Sequence, residues 1–593
     1  MTIYQSPLRD FQFVLHELLE VDKTMQSCGR SDLDPETVDQ VLAAAGEFAS
    51  GVIAPLNLRG DREGCRIPEP GKVLTPAGFR EAYLQFSENG WNGLACSEEY
   101  GGQGFPSVIE NAVYEIFGAA NMAWSSYPGM SHATYVNIEA NGTPELKSVY
   151  LPKLASGEWS GTMCLTEPNA GTDVGLLRTR AVPQPNGSYR ITGTKIFISG
   201  GDHDLTDNIA HLVLARLPDA PPGVKGISLF VVPKLLPLAD GSAGAANGVT
   251  CSSIEDKMGI HGNSTCTINF EGASGWLLGE PNKGLAGMFV QMNHMRVLVG
   301  VMAVGQMEGA YQKALAYAKD RLQGRAPGAV SIAGGADAIV GHADVRRMLM
   351  TQKANVEGMR AVALWVAQIS DLQRLHRDPD ERRAAAELLS LLTPVVKAVA
   401  SDLAVESTLL AMQVFGGHGY VRENGVEQHV RDVRIISLYE GTNGVQAMDL
   451  LGRKVLADRG ERLATFLRLV TDFADKHKAD ARFVEFTLPL ENLVSQVRTV
   501  TEELITAAAQ DPHAVGAAAS PYLRLIGCVA MALMWGRAAD IALANSSSSD
   551  PVYASKLATA RFYFQRLLPQ TLALCAEIRA GASTVMDLDA SLL

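Results

Sequence analysis

The chain has 593 residues, 47% of them hydrophobic and 19% charged, with a formal charge of −13. At ~100–200 residues per domain this length predicts about four domain-sized units, and the composition argues against extensive disorder. The acidic balance disfavours a nucleic-acid partner, which needs a basic face, so an anionic substrate requires local arginines.

The opening stretch MTIYQSPLRDFQFVLHELLEV carries Arg9, Asp10, Glu17 and Glu20 inside its apolar pattern. It reads as a helix with Phe11, Val14, Leu15 and Leu18 on one face, and not as a signal peptide. This extension over 1–35 precedes a helical domain over 36–160. Asp34-Pro35 supplies a cap and a proline at the first helical position, and Val38, Val41, Leu42, Ala45, Ala49 and Val52 follow at helical spacing.

Near Gly161 the pattern changes. NGSYRITGTKIFIS opens on an Asn-Gly turn and continues in alternating β-branched and aromatic residues, as a hairpin does. NIAHLVLARL, GISLFVVPKLL and STCTINFEG complete a compact β domain over 161–283. Helices return over 285–323 and 337–373, joined by the loop GRAPGAVSIAGG, and again over about 382–415, which predicts a bundle domain at 284–455. An additional helical domain fills 456–593, where Leu490, Leu493, Val494, Val497 and Leu504 repeat at helical spacing and NSSSSDP separates the last two helices. The fold class is mainly α with a central β domain. No uninterrupted apolar run approaches the ~20 residues that cross a bilayer. Eight scattered cysteines without a CxxC pair suit a reducing cytoplasm better than a disulfide or zinc framework. A cytoplasmic protein without a membrane span is expected.

The polar turns carry the chemistry. MCLTEPNAGTDVG (163–175) places Thr166, Gly171, Thr172 and Asp173 on a turn that suits a heterocycle edge or a phosphate, or is simply a turn. QVFGGHGYV (413–421) ends a helix in glycines, a C-cap or a weak phosphate signal. There is no GxGxxG after a strand and no GxxxxGK[ST], and no HExxH or carboxylate cluster suggests a metal. SLYEGTNGVQAMDL (437–450) puts Glu440 on a tight turn before a helix, as a capping carboxylate or as a base. The local residues leave both open.

In combination they say more. TEPNAGTD, GTKIFISGG, KMGIHGNSTC, an arginine-bearing helix, QVFGGHGY and YEGTN, in this order over 36–455, resemble the signatures of acyl-CoA dehydrogenases. The phrases TKIFISGGDHDLTDNIAHLVLARLPDAP and GEPNKGLAGMF, with the helical tail, resemble the roughly 600-residue bacterial subgroup that includes 3-methylmercaptopropionyl-CoA and long-chain fatty acyl-CoA dehydrogenases. The resemblance implies a helical N-terminal domain, a β-barrel or sandwich middle domain and a C-terminal four-helix bundle. It also implies FAD-dependent α,β-dehydrogenation of an acyl-CoA to the trans-2-enoyl-CoA.

In that reading Glu440 is the α-proton base and Gly441 gives the acyl chain room. Met163, Leu165, Thr166, Gly171 and Thr172 contact the flavin, Thr172 also lying near CoA. Phe197 and Ser199 match the aromatic–hydroxyl pair that packs on the ring, with Phe197 where the family often has tryptophan. Arg321, Gln323, Gln413, Gly416 and Gly417 match residues that bind the FAD pyrophosphate and adenine across a homodimer interface. Thr442 and Asn443 open a helix toward flavin or substrate, and Arg296 aids CoA binding. Gly444 stands where many members carry Gln or Glu. An electron-transferring flavoprotein is the implied electron acceptor. The same motifs also allow an acyl-CoA oxidase using dioxygen, and the scaffold hosts non-enzymatic DNA-binding flavoproteins, which the mixed charge of this tail disfavours. The tail is expected to pack over the core and restrict assembly to dimers.

Overall fold

Asp34 starts its helix by the cap chemistry expected of it. In the computed structural model, which describes residues 4–30, 32–328 and 335–593, Asp34 Oδ1 accepts from the Thr37 amide at 2.7 Å and the helix runs Pro35–Phe48. Residues 329–334 of the loop expected at 324–335 lie outside the described residues, as do the first three residues of the opening stretch, whose helix begins at Leu8. The chain divides into two compact units, Met1–Gly46 with Asn111–Ala119 and Val299–Leu593, and Glu47–Glu110 with Ala120–Leu298.

The second unit contains the β domain. Its main sheet has seven strands, β1 (Trp159–Cys164), β2 (Arg180–Pro183), β3 (Tyr189–Ser199), β4 (Asn208–Arg216), β5 (Ile227–Pro233), β6 (Val249–Ile254) and β7 (Thr265–Leu277). The expected hairpin joins β2 to β3 across Asn186-Gly187, with Gly187 at φ +81°. Pairings β7–β3, β3–β2, β2–β4, β4–β5 and β5–β7 close a small barrel, β6 flanks β7, and β1 lies parallel to β4. Along β4 the side chains alternate between two cores. Ala210, Leu212 and Leu214 join the helices Met122–Asn141 and Pro144–Ala155, whereas Val213 and Ala215 join Phe230, Val232, Ile268 and Phe270. Burial on both faces explains why this stretch reads as a nearly unbroken apolar run. At Gly161 in β1 a Cβ would lie 2.3 Å from Thr134, so only glycine lets the strand approach helix Met122–Asn141 this closely.

The first unit is helical. Helices Ala343–Leu375 and Pro379–Phe415 pair beside Ala514–Ala544, where Gly358 and Gly527 admit Trp535 and Val399 at distances a Cβ would not allow. The stripe Leu490, Leu493, Val494, Val497 and Leu504 is buried as expected. The N-terminal face is only partly as read. Phe11, Val14 and Leu15 are buried, but Phe13 and Leu19 are buried too and Leu18 is not. The reason is a π-helical turn at Phe13–Leu18, whose wider turn shifts the period.

The expectation that no segment is apolar enough to span a bilayer needs correcting. Helices at Pro35–Glu63, Pro379–Tyr420 and Ala514–Ala544 meet the length and composition required, because a few polar residues interrupt each run without making it polar overall. In the last two, 72% and 83% of the apolar stretch is buried within the fold, which accounts for the apolarity. In the first, 33% is buried.

Seven charged side chains meet inside this unit. Fully buried Arg360 donates to Glu115 at 2.7 Å, to Glu308 at 2.8 Å and to Asp10 at 2.5 Å. Lys556 pairs with Asp10 and with Glu357 at 2.8 Å, and Lys353 pairs with Glu357. The cluster thus ties the N-terminal extension and the last third of the chain to the bundle. Four carboxylates face three cations, and the surplus falls on Glu115. Burial raises its pKa to about 7 against the lowering by Arg360, with Glu308 and Asp10 raising it further. A carboxyl whose folded pKa exceeds its unfolded value of 4.5 stabilises the fold fully below pH 4.5, and that stabilisation is lost as pH rises through about 7. The expected loss between pH 5 and 8 is about 2.5 kcal/mol, at ~1.4 kcal/mol per pKa unit. Urea denaturation of wild type and Glu115→Gln at both pH values checks it. The variant's stability should change less over this interval, and parallel pH profiles would refute the assignment.

Candidate active site

Glu440 sits on the short turn between the 3₁₀ segment Arg434–Ser437 and the helix Asn443–Met448. That helix is capped by Thr442, whose hydroxyl accepts from the Val445 amide at 3.4 Å, so the capping role open to Glu440 in the sequence is already filled. Glu440 has φ +58° and Gly441 φ +81°. A left-handed non-glycine residue costs on the order of 1–3 kcal/mol and persists only where its surroundings impose it. Here Gln446 Nε2 donates to the Glu440 carbonyl at 3.0 Å and Lys397 Nζ to the Gly441 carbonyl at 2.7 Å. The residue is half-buried, and its Oε2 is shielded from solvent. Burial and the adjoining Glu440 charge both push the Tyr439 phenol up. Asn443, the other polar residue of this turn, turns its amide into the protein, accepting from Lys397 at 2.9 Å and donating to Asp402 at 2.7 Å.

Five of the expected flavin contacts in the β domain come together around a β-bulge. Register slips where Cys266 pairs with Ile198 and Ile268 with Lys195, so that Ile196 and Phe197 oppose one residue of β7. Phe197 takes φ +59° there and leaves its ring 60% exposed, an unusual position for an aromatic in a strand. The Ile196 amide donates to the Thr166 carbonyl at 2.9 Å, which joins the exit of β1 (Met163, Leu165, Thr166) to the bulge and to half-buried Ser199. Beyond it Gly171 and Thr172 stand exposed on the turn, and a Cβ at Gly171 would meet nothing within 4 Å.

A buried ion pair that the motif reading overlooked supports this turn. Lys195 Nζ donates to Glu167 Oε1 and to the Leu165 carbonyl, both at 2.9 Å, and Glu167 also accepts from the Arg178 and Thr179 amides at 2.6 and 3.0 Å. Burial lowers the Lys195 pKa, opposed by Glu167. Both residues lie inside the motifs TEPNAGTD and GTKIFISGG, so the signal was present as one Glu and one Lys in separate motifs.

The residues expected at a pyrophosphate and adenine gather at two adjacent helix ends in the first unit. Arg321 and Gln323 are exposed just after helix Gly284–Asp320, where Leu322 bridges Ala338. Gln413, Gly416 and Gly417 are exposed at the end of Pro379–Phe415, with Gly416 at φ +59°. Tyr317 stacks on Phe415 at 4.2 Å and its hydroxyl meets His418 Nδ1 at 3.1 Å, so the two ends adjoin. Arg296 is not a solvent arginine. It is 6% exposed, lies over Phe289 at 5.6 Å and donates to Asn293 at 3.2 Å.

One group unseen in the sequence is Glu110, His132 and His294, whose ligating atoms lie within 4.8 Å of one another and could hold a metal ion. Positions so far apart form no motif. Glu110 Oε1 and His132 Nε2 already meet at 3.1 Å, so this pair is satisfied without a cation.

Four family models match in chain order. They are acyl-CoA dehydrogenase N-terminal domain over 35–158, middle domain over 162–273, C-terminal domain over 282–456, and acetyl-CoA dehydrogenase C-terminal like over 466–589. The 3-methylmercaptopropionyl-CoA dehydrogenase of Ruegeria pomeroyi is 39% identical over 595 residues, covering 100% of this chain and 99% of that one. The chain belongs to the acyl-CoA dehydrogenase family. A second relative in the family is the broad-specificity linear acyl-CoA dehydrogenase FadE5 of Mycobacterium tuberculosis, 34% identical over 99% of both chains. The fold is shared with a Bacillus anthracis acyl-CoA dehydrogenase solved in complex with FAD (TM-score 0.75, 20% identity, 92% of this chain and 88% of that one). The family assignment makes the protein an oxidoreductase and accounts for the additional helical C-terminal domain.

Proposed function

We propose that the chain binds FAD and dehydrogenates an acyl-CoA thioester between its α and β carbons, with Glu440 taking the α-proton. The observation that carries this is Glu440 itself, a glutamate held in a left-handed turn, shielded at one carboxylate oxygen and relieved of capping by Thr442. The residues present fit the cofactor. An exposed aromatic on a bulge, hydroxyls at Thr166 and Ser199, and glycines at 416 and 417 whose Cβ positions meet nothing within 4 Å suit a flat ring and a phosphate chain. Phe197 and the β1 exit would hold the ring. Gln413, Gly416, Gly417, Arg321 and Gln323 would hold the pyrophosphate and adenine, in a homodimer. When bound, FAD accepts the hydride that leaves the β-carbon.

The protein's own part is to bind, orient and deprotonate. A carboxylate in water is too weak a base for an α-proton of a thioester, so it needs a stabilised enolate. In this reading the Glu440 amide donates to the thioester oxygen in the manner of an oxyanion hole. Exclusion of water around the carboxyl strengthens that bond. Gly441, without a side chain, leaves space for the acyl chain, and Arg296 with Thr172 would favour the CoA moiety.

Full-length likeness to both a 3-methylmercaptopropionyl-CoA and a linear acyl-CoA dehydrogenase favours a straight-chain acyl group and a dehydrogenase over an oxidase, with an electron-transferring flavoprotein as the acceptor in this reading. The eight free thiols suit a cytoplasmic setting. Anaerobic flavin bleaching by thioesters from 3-methylthiopropanoyl-CoA to palmitoyl-CoA tests the substrate. Reoxidation faster with electron-transferring flavoprotein than with air is the expected result, and oxygen consumption matching turnover would make it an oxidase.

A further inference from the structure

The turn that carries Glu440 is fastened by a charge the proposed chemistry does not use. Lys397, in the middle of helix Pro379–Phe415, is wholly buried, and its ammonium donates to the Gly441 carbonyl at 2.7 Å and to Asn443 Oδ1 at 2.9 Å. An ammonium taken out of water is costly unless it is hydrogen-bonded and its charge is compensated. The compensation is relayed. Asn443 Nδ2 donates to Asp402 Oδ1 at 2.7 Å and to the Ala398 carbonyl at 3.2 Å, and Ser401 Oγ donates to Asn443 Oδ1 at 3.2 Å. The amide is thus fixed at both ends between an ammonium and a carboxylate of one helix.

The support extends into the additional C-terminal domain. At Gly527 of helix Ala514–Ala544 a Cβ would come 2.6 Å from Val399, two residues past Lys397, and Arg524 donates to Glu406 at 2.9 Å. The lysine-bearing stretch is therefore clamped between the turn and the additional domain.

Resting on the reading of Glu440 as base, we infer that Lys397 is a positioning residue for it. By anchoring the Gly441 carbonyl, it holds the Gly441–Thr442 peptide, one residue beyond the left-handed glutamate. The turn can relax by rotating the Gly441–Thr442 peptide, and a carbonyl held by an ammonium resists this, since charge-assisted hydrogen bonds are roughly twice as strong as neutral ones. Gln446 Nε2 holds the Glu440 carbonyl of the peptide before it. The same lysine, through Asn443, fixes the first residue of the helix that follows. One buried group therefore fixes two successive points of the chain just after Glu440.

The test is rapid anaerobic flavin reduction by a saturating acyl-CoA, with FAD content and acyl-CoA dissociation constant measured on the same samples of flavin-loaded protein. Lys397→Met is expected to lower the limiting rate by about 10²-fold, the cost of a displacement of about 1 Å in a reacting group. FAD content and the dissociation constant should stay unchanged. Lys397→Gln, which keeps one donor, should fall between Met and wild type and also serves if Lys397→Met does not fold. A wild-type limiting rate in either folded variant overturns the proposal. So does a loss of rate that tracks loss of FAD or of folded protein in both variants, which would make Lys397 structural. Glu440→Gln run in parallel separates the two ideas. If it reduces flavin normally, the base assignment fails. If it is inactive while Lys397→Met is normal, only the lysine's role fails.

Discussion

Glu440→Gln lowers the limiting rate of flavin reduction by acyl-CoA by about 10²–10⁴-fold, the span that a positioned general base contributes. The substitution is close to isosteric, so it keeps the side chain's volume and the left-handed backbone at φ +58° while removing the proton acceptor. Thr442 caps the helix and Gln446 and Lys397 hold the two carbonyls of the turn, so none of these supports depends on the carboxylate. FAD content and thermal stability should therefore match wild type. The Tyr439 phenol, pushed up partly by the Glu440 charge, should ionise at lower pH in the variant. Retained reduction with a lowered Tyr439 pKa would leave Glu440 an electrostatic neighbour and no base.

Arg360→Met is expected to cost about 3–5 kcal/mol of stability, the range for breaking a buried ion pair by removing one partner. The guanidinium is fully buried and reaches Glu115, Glu308 and Asp10, so its removal leaves three inward carboxylates, of which Asp10 keeps an ion pair with Lys556. Asp10 is held well below the usual carboxylate range by Lys556 and Arg360 against the opposing effect of burial. A depressed carboxyl stabilises above its unfolded pKa of 3.8 and loses that stabilisation as pH falls below it, so the Asp10 share of the variant's deficit should vanish in acid. Equilibrium denaturation at pH 7 measures the effect. A loss below about 1 kcal/mol, the scale of an exposed pair, would contradict the arrangement.

Much of the fold was legible because it rests on local chemistry. The Asp34 cap, the Asn186-Gly187 hairpin and the stripe from Leu490 to Leu504 each need only neighbouring residues, and the structure has all three. What the sequence hid depends on distance or on a changed period. The π turn at Phe13–Leu18 moved the buried face from Leu18 to Leu19. The Arg360 cluster draws on positions from Asp10 to Lys556, and Glu110, His132 and His294 come from three separate helices. At the site, Glu440 and Phe197 stood out in motifs for their residue type, whereas their shared left-handed backbone appears only in three dimensions. Lys195 and Lys397 were invisible as functional supports because a lysine in an apolar run declares its partner only once the carbonyl it donates to is known.

The most direct test of the whole account is product stoichiometry. FAD-loaded protein mixed without oxygen with a straight-chain acyl-CoA should lose its visible flavin band and yield one 2-enoyl-CoA per flavin reduced. A chain that stays colourless when offered FAD, or a bound flavin that remains oxidised with every chain length from 3-methylthiopropanoyl-CoA to palmitoyl-CoA, would contradict it.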